Sequence, residues 1–466
     1  VQPPDSLWWS QLDGPVVPRA ALRQHRDVDI VIVGGGFTGL WCARELKRRD
    51  SSLEIVVLEK NVCGFGASGR NGGWASSFYP LSDEAVIARH GEESFDHLRS
   101  QLQKGVQALG DAIASDGIDA HFVRGGTLNF ARSDVQATRL QEAVSAAHEL
   151  GATENDIAWL DQDQAHARAA LSGQRGATFS PHCARLHPAR LVRGLADVNE
   201  KLGVSIFENT PVTRTLNATK DHLAEALTPG GSVHARFVVR ATEGFTPTIK
   251  GERRSVAPLY SLMIATEPQS TEFWEQTGLS HYETFADDRH LIIYGQRTKD
   301  NRIAFGGRGA PYHFGSTVEE RFDYNAKVFA LLEETLHELF PTLQGEITHR
   351  WGGPLAMPRN LSPSVVVDYE TGRASAGGYT GDGVVLSYIA ANALADLIVS
   401  PDVETDFTRL PFVQTTLRRW EREPLRWLGI NAGLLLAAWA DRVETRRHKQ
   451  SRASGWLDRL FNQFPP

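Results

Sequence analysis

The chain of 466 residues holds only three cysteines, Cys42, Cys63 and Cys183, and no two of them stand in a C-x-x-C spacing. Three so scattered cannot all pair and give no support for a disulfide framework or a structural zinc, so no metal site is expected. That usage fits a reducing, cytoplasmic setting. Long apolar runs are missing as well. The longest, LGINAGLLLAAWA from Leu428 to Ala440, falls short of the roughly 20 helical residues that a bilayer demands. Its charged flanks, EREPLRW and DRVETRR, fit a helix packed on the molecule or facing a partner. Excess positive charge is absent: the net charge is −7, which argues against nucleic acid as the main partner. The opening VQPPDSLWWSQLDGPVVP has no basic segment followed by an apolar run, so no targeting segment is expected. The basic tail RRHKQSRASGWLDRLF reads as a solvated helix end, and no internal repeat or low-complexity tract interrupts the chain.

Glycine, by contrast, is plentiful and gathers in three strings: VGGGFTG at 33–39, CGFGASGRNGGW at 63–74 and GGYTGDGV at 377–384. The first follows DVDIVIV, a Val/Ile run typical of a buried parallel strand, and precedes the helical pattern FTGLWCARELKRR. LEIVVLEK then supplies a second strand, completing a strand–helix–strand unit. Gly34, Gly36 and Gly39 satisfy G-x-G-x-x-G: the first permits the tight turn, the second lets backbone approach a pyrophosphate, and the third lets helix and strand pack closely. Glu59 ends the second strand, placed for a ribose diol and against a 2′-phosphate. NAD and FAD both fit this loop. The second string separates them, because only the longer flavin dinucleotide has use for another close backbone approach just beyond the ribose carboxylate. There Ser68 offers a hydroxyl and Arg70 charge-assisted bonds to a phosphate or the flavin, while Gly72 and Gly73 let main chain lie near the ring system.

The strings DIVIVGGGFTGL, VVLEK and GFGASGRNGGW resemble the D-amino-acid-oxidase-like superfamily of FAD-dependent amine oxidases and dehydrogenases, most of all its gamma-glutamylputrescine oxidase branch. HPARLVRGLADVNEKLG, RTKDNRIAFGGRG, HRWGGPLAMPRN and GGYTGDGVVLSYIAANALADLI extend the resemblance over most of the chain. The fold expected is α/β: a discontinuous Rossmann-like FAD-binding domain with an inserted α+β substrate domain on a mostly antiparallel sheet. The expected division is an N-terminal arm at 1–26, an FAD-binding domain at 27–82, 150–250 and 351–400, a substrate domain at 83–149 and 251–350, and a helical extension at 401–466. HFVRGGTLNFARS reads as hairpin-like, a helix is expected around Val318 to Leu339, and Pro188 starts another, with His187 as a structural residue before it.

The expected cofactor contacts are Gly34, Gly36, Phe37, Thr38, Gly39, Glu59 and Lys60, followed by Gly66, Ala67, Ser68, Arg70, Asn71, Gly72, Gly73 and Trp74. Val212 joins them, with Ala241, Thr242 and Gly244 from ATEGFT, a turn usually written Ala-Thr-Gly in the family. Gly378, Tyr379, Thr380, Gly381, Asp382, Gly383 and Val384 complete the set at a helix start that faces the flavin's pyrimidine edge. Relatives carry histidine where this chain has Asp382, which is expected to cap the helix. The FAD is expected to be non-covalent, since no histidine lies between Asn61 and Tyr79 and Cys63 reads as a small buried residue. Trp351 is expected as an apolar wall beside the flavin, Arg350 or Arg359 as an anchor for a substrate anion, and Tyr260, Tyr294 and Arg297 as lining of the same pocket.

The activity this resemblance implies is oxidation of a primary or secondary amine, such as a gamma-glutamylated polyamine or an amino acid. Hydride passes to flavin N5, the imine hydrolyses, and oxygen becomes hydrogen peroxide. Two alternatives stay open: a dehydrogenase feeding a carrier or quinone, and a flavin-binding assembly or regulatory protein without turnover. No second dinucleotide motif supports a flavin N-monooxygenase. The arm bearing Trp8 and Trp9 either docks on its own domain or reaches a neighbouring subunit of a homo-oligomer.

Overall fold

The computed structural model describes residues 4–447; the rest of the basic tail lies outside the described residues. Two eight-stranded sheets organise it. In the first, Arg26–Val33 lies between Ile55–Leu58 and Gly231–Arg240, parallel to both, with Ser205–Phe207 and Arg373–Gly377 extending the parallel core on either side. Ile30, Val31, Ile32 and Val33 are all buried, as befits a strand covered on both faces. Helices Phe37–Arg49, Glu92–Ser115, Pro188–Lys201 and Gly383–Val399 cover one face and share one apolar core. Gly383–Val399 is buried nearly all round, consistent with its unbroken apolar sequence. The second sheet runs Ile347–Met357, Ala257–Thr266, Ile303–Arg308, Ile293–Arg297, Thr284–Asp287, Thr127–Phe130, Ala177–Ser180, Ala158–Leu160. It is antiparallel except where Thr284–Asp287 meets Thr127–Phe130. A discontinuous α/β dinucleotide fold beside a mostly antiparallel sheet is therefore what the chain adopts.

Several local expectations change. HFVRGGTLNFARS contributes one strand to the middle of the second sheet, not a hairpin. Residues 150–180 supply Ala158–Leu160 and Ala177–Ser180 to that same sheet, not the first. Glu92–Ser115 instead packs on the first sheet's side: Leu98, Leu102, Val106 and Leu109 enter that core, and a Cβ on Gly105 would lie 2.8 Å from Ile389. The helix expected from Val318 starts at Ala326, because Glu320–Asp323 forms a separate 3-10 turn and the Asn325 side chain caps Lys327 and Val328. In the C-terminal extension only Leu425–Arg447 is helical among the described residues.

The N-terminal arm folds back on its own chain. Trp8 and Trp9 are buried in a short helix, Leu7–Ser10, and Trp8 Nε1 donates to the Asn71 carbonyl at 2.8 Å. Trp351 Nε1 donates to the neighbouring Arg70 carbonyl, also at 2.8 Å, and the two indoles meet edge to face.

Candidate active site

Gly34 leaves the first strand at φ +113°, in the left-handed region, and a Cβ there would lie 2.4 Å from the Ala241 carbonyl. A Cβ on Gly39 would lie 2.0 Å from the Gly34 carbonyl. Both positions demand glycine for the helix to begin against the strand end. Phe37 N donates to Ser68 Oγ at 2.8 Å, which ties the first glycine string to the second. Glu59 accepts from Gly35 N and Asn61 N, each at 2.8 Å, and burial raises its carboxyl above the ordinary value. A cleft opens among these groups, lined by Gly34, Gly36, Phe37, Thr38, Glu59, Lys60, Gly66, Ala67, Ser68, Val212, Ala241, Thr242 and Gly244. A side-chain-free approach, a helix N-terminus and a carboxylate at the second strand's end suit a pyrophosphate and a ribose diol.

The cleft runs on past Phe37, Thr38, Ala67 and Ser68 into a chamber lined also by Asn71, Tyr379, Thr380, Gly381, Gly383 and Val384. Tyr379 is buried and its hydroxyl lies 3.0 Å from Thr38 Oγ1, closing the first string onto the third. The chamber meets the start of helix Gly383–Val399, where the dipole favours negative charge. Gly378 lies just behind, its N–H held by a carboxylate described below. Asp382 occupies the N-cap position, but its side chain makes no capping bond. Its backbone, at φ −97° and ψ 36°, lacks the extended conformation that aims a cap at the first turn.

Arg70 takes a different role from the one expected. It lines neither chamber; its Nη1 donates to Asp323 Oδ2 at 2.6 Å and to the Gly352 carbonyl at 2.8 Å. It is a buried strut between the second glycine string and the second sheet. Gly72 and Gly73 serve the same docking: a Cβ on Gly72 would lie 2.6 Å from the Tyr294 ring, and one on Gly73 would lie 2.2 Å from the Leu186 carbonyl. Trp74 meets Tyr294 edge to face.

The pocket expectations divide similarly. Trp351 is buried behind the second string, among Trp8, Met263 and Ala304. Arg350 is its neighbour on a strand and so faces the other way, paired with Glu333 at 2.9 Å on the outer surface. Arg297 binds Asn301 and lies over the Trp274 ring, away from the cleft. His187 caps helix Pro188–Lys201 through Arg190 N at 3.2 Å, and burial lowers its pKa to about 3.

Two features escaped sequence reasoning. Glu243 lines both chambers, accepts from Gly378 N at 2.9 Å and from Tyr379 N at 3.3 Å, and burial pushes its carboxyl up to about 7. It holds φ +39°, and the signal was in ATEGFT, which puts glutamate where the family usually has glycine. The second feature is a cavity of about 480 Å³ beyond the inner chamber, sharing Leu355 and Thr380 with it. Tyr260 and Arg359 line this cavity, and helix Leu425–Arg447 covers it with Leu425, Arg426, Ile430 and Leu434. Asp441 of that helix accepts from His290 N at 2.7 Å and Leu291 N at 3.0 Å, fastening the cover to the second sheet.

A family model described as DAO, FAD dependent oxidoreductase, matches residues 29–397. The chain is 28% identical to the gamma-glutamylputrescine oxidoreductase of Escherichia coli over 91% of its own length and 96% of that protein's. It is 27% identical to the "Probable oxidoreductase OrdL" of Haemophilus influenzae, covering 82% and 85% of the two chains. Among solved structures, glycine oxidase from Geobacillus kaustophilus superimposes with a TM-score of 0.69 at 22% identity, over 84% of this chain and 99% of that one.

Proposed function

This chain belongs to the FAD dependent oxidoreductase family, and from that premise we propose that it oxidises the carbon bearing a primary or secondary amine, with oxygen as the final acceptor. The family and the fitting cleft make it an FAD enzyme. When bound, the flavin supplies the hydride acceptor and passes the electrons on. The observation that carries the amine reading is the row of adjoining spaces, from the dinucleotide cleft to the chamber at helix Gly383–Val399 and on to the cavity under helix Leu425–Arg447, each sharing lining residues with the next. Gamma-glutamylputrescine and glycine, the compounds in the names of two relatives, both carry an amine.

The chain's own groups have separable tasks. Gly34 and Gly36 would admit the pyrophosphate, Gly39 lets the helix begin against the strand end, Glu59 would take the ribose, and the Tyr379–Thr38 contact ties the third glycine string to the first. The helix start at Gly383 favours negative charge at the chamber end. Helix Leu425–Arg447 lines one side of the cavity and limits its contact with water, and the mostly apolar walls disfavour an ammonium, which favours the neutral amine with its electron pair available.

Anaerobic mixing of the holoenzyme with a panel of amines, followed by admission of air, tests this. Bleaching of the visible flavin band, then rapid recovery with peroxide, is the expected outcome. Bleaching with slow recovery would assign a dehydrogenase, and no bleaching by any amine would refute the amine reading.

A further inference from the structure

The cavity beyond the inner chamber has ionisable residues in its walls, and among the described residues each faces an opposite partner. Arg359 Nε donates to both Glu421 oxygens, each at 2.9 Å. Arg426 donates to Glu423 Oε1 from Nε at 3.0 Å and from Nη2 at 2.8 Å. His290 Nε2 lies 3.2 Å from Glu444 Oε1. The neutral polar groups are engaged too: the Tyr260 hydroxyl donates to the Glu319 carbonyl at 3.3 Å, and Trp420 Nε1 donates to the Met357 carbonyl at 2.8 Å. Most of the remaining wall is aliphatic, including Leu259, Leu291, Leu355, Met357, Ile430 and Leu434. Leu355 is the decisive one, because it lines both the cavity and the chamber and so puts an alkyl side chain where the two share a wall.

We infer that the substrate is an amine on an uncharged, apolar body, alkyl or aralkyl, and not one carrying a carboxylate; this rests on the amine-oxidation reading. A carboxylate entering the cavity would lose water and find the cations of the described wall, Arg359 and Arg426, already compensated by Glu421 and Glu423. A methylene chain would instead exchange water for aliphatic wall along its length. The cavity's volume, about 480 Å³, lies within the range of small-molecule sites and has room for the body of such an amine. The family resemblance alone pointed to gamma-glutamylated or amino-acid substrates, and the wall chemistry opposes both.

The test compares n-alkylamines from propyl to heptyl, and phenethylamine, with 5-aminopentanoate and glycine, using wild-type holoenzyme. Binding is read from perturbation of the flavin spectrum, and reaction from anaerobic bleaching. Affinity should rise about 4-fold for each added methylene, the equivalent of roughly 0.8 kcal/mol. Pentylamine should bind at least tenfold better than 5-aminopentanoate, which carries the same amine on an anionic chain. Equal or tighter binding of 5-aminopentanoate would overturn the inference while leaving amine oxidation intact. Chain-length-dependent binding without bleaching by any amine would do the reverse, supporting the cavity's apolar specificity and refuting the reaction. Glu421→Gln, which leaves the Arg359 charge uncompensated, should improve 5-aminopentanoate binding about tenfold, the worth of one charged hydrogen bond. No gain would contradict the neutralisation argument.

Discussion

Glu243→Gln isolates the effect of one proton on the whole fold. The Glu243 carboxyl sits half-buried between the end of strand Gly231–Arg240 and the third glycine string, and its Oε1 receives the N–H groups of Gly378 and Tyr379. A glutamine keeps an oxygen for both bonds and removes only the titration. Burial raises the folded-state value from an ordinary 4.5 to about 7. The folded chain therefore holds this proton more tightly than the unfolded chain does. The contribution is fully present below about pH 4.5 and is lost as pH rises through about 7. At roughly 1.4 kcal/mol for each tenfold change in proton affinity, the full loss is on the order of 3 kcal/mol. Urea unfolding of the apoprotein at pH 5 and at pH 8 should show wild type losing about that much more stability than Glu243→Gln over the interval. Equal pH dependence in the two proteins would refute the claim that Glu243 is protonated in the folded apoprotein near neutrality.

Gly34→Ala should yield a protein that cannot take up FAD, because its Cβ would be driven into the Ala241 carbonyl; a yellow, fully occupied variant would contradict the cradle assignment. Arg70→Ala should lower stability by about 2 kcal/mol by leaving Asp323 unpaired, with FAD released as a consequence. Asp323→Asn should reproduce part of both effects, and the double variant should cost less than the two losses added. FAD loss by Arg70→Ala at unchanged apoprotein stability would show that the guanidinium acts on the cofactor and not as a strut.

What could be read from the chain alone was what a few neighbouring residues decide. Gly34, Gly36 and Gly39 answer to a turn and a helix start within one short string, and Glu59 to the next strand, so spacing sufficed. Arg70 could not be resolved that way, because its partner Asp323 is 253 residues distant and either end of the string could have claimed it. Arg350 beside Trp351 was decidable in principle: adjacent residues on a strand face opposite sides, so both could not line one pocket. The cover over the cavity was hidden for another reason. Helix Leu425–Arg447 has apolar residues on exposed and covered sides alike, such as Leu435 and Leu434, so its pattern does not reveal which side meets the molecule. Glu243 was masked by the regularity of its surroundings, since a turn normally filled by glycine draws attention to the glycines.

The two indoles behind the second glycine string bear on the order of events as the chain is made. Trp8, Arg70 and Asn71 leave the ribosome early, yet Trp351, which clasps the Arg70 carbonyl, follows 281 residues later. At synthesis rates of about 5–20 residues per second the string waits some tens of seconds for that clasp. The third string, beginning at Gly377, comes later still. Stable capture of the cofactor is thus a late event in biogenesis, and a chain interrupted before the Ile347–Met357 strand would emerge colourless even with its entire G-x-G-x-x-G unit intact.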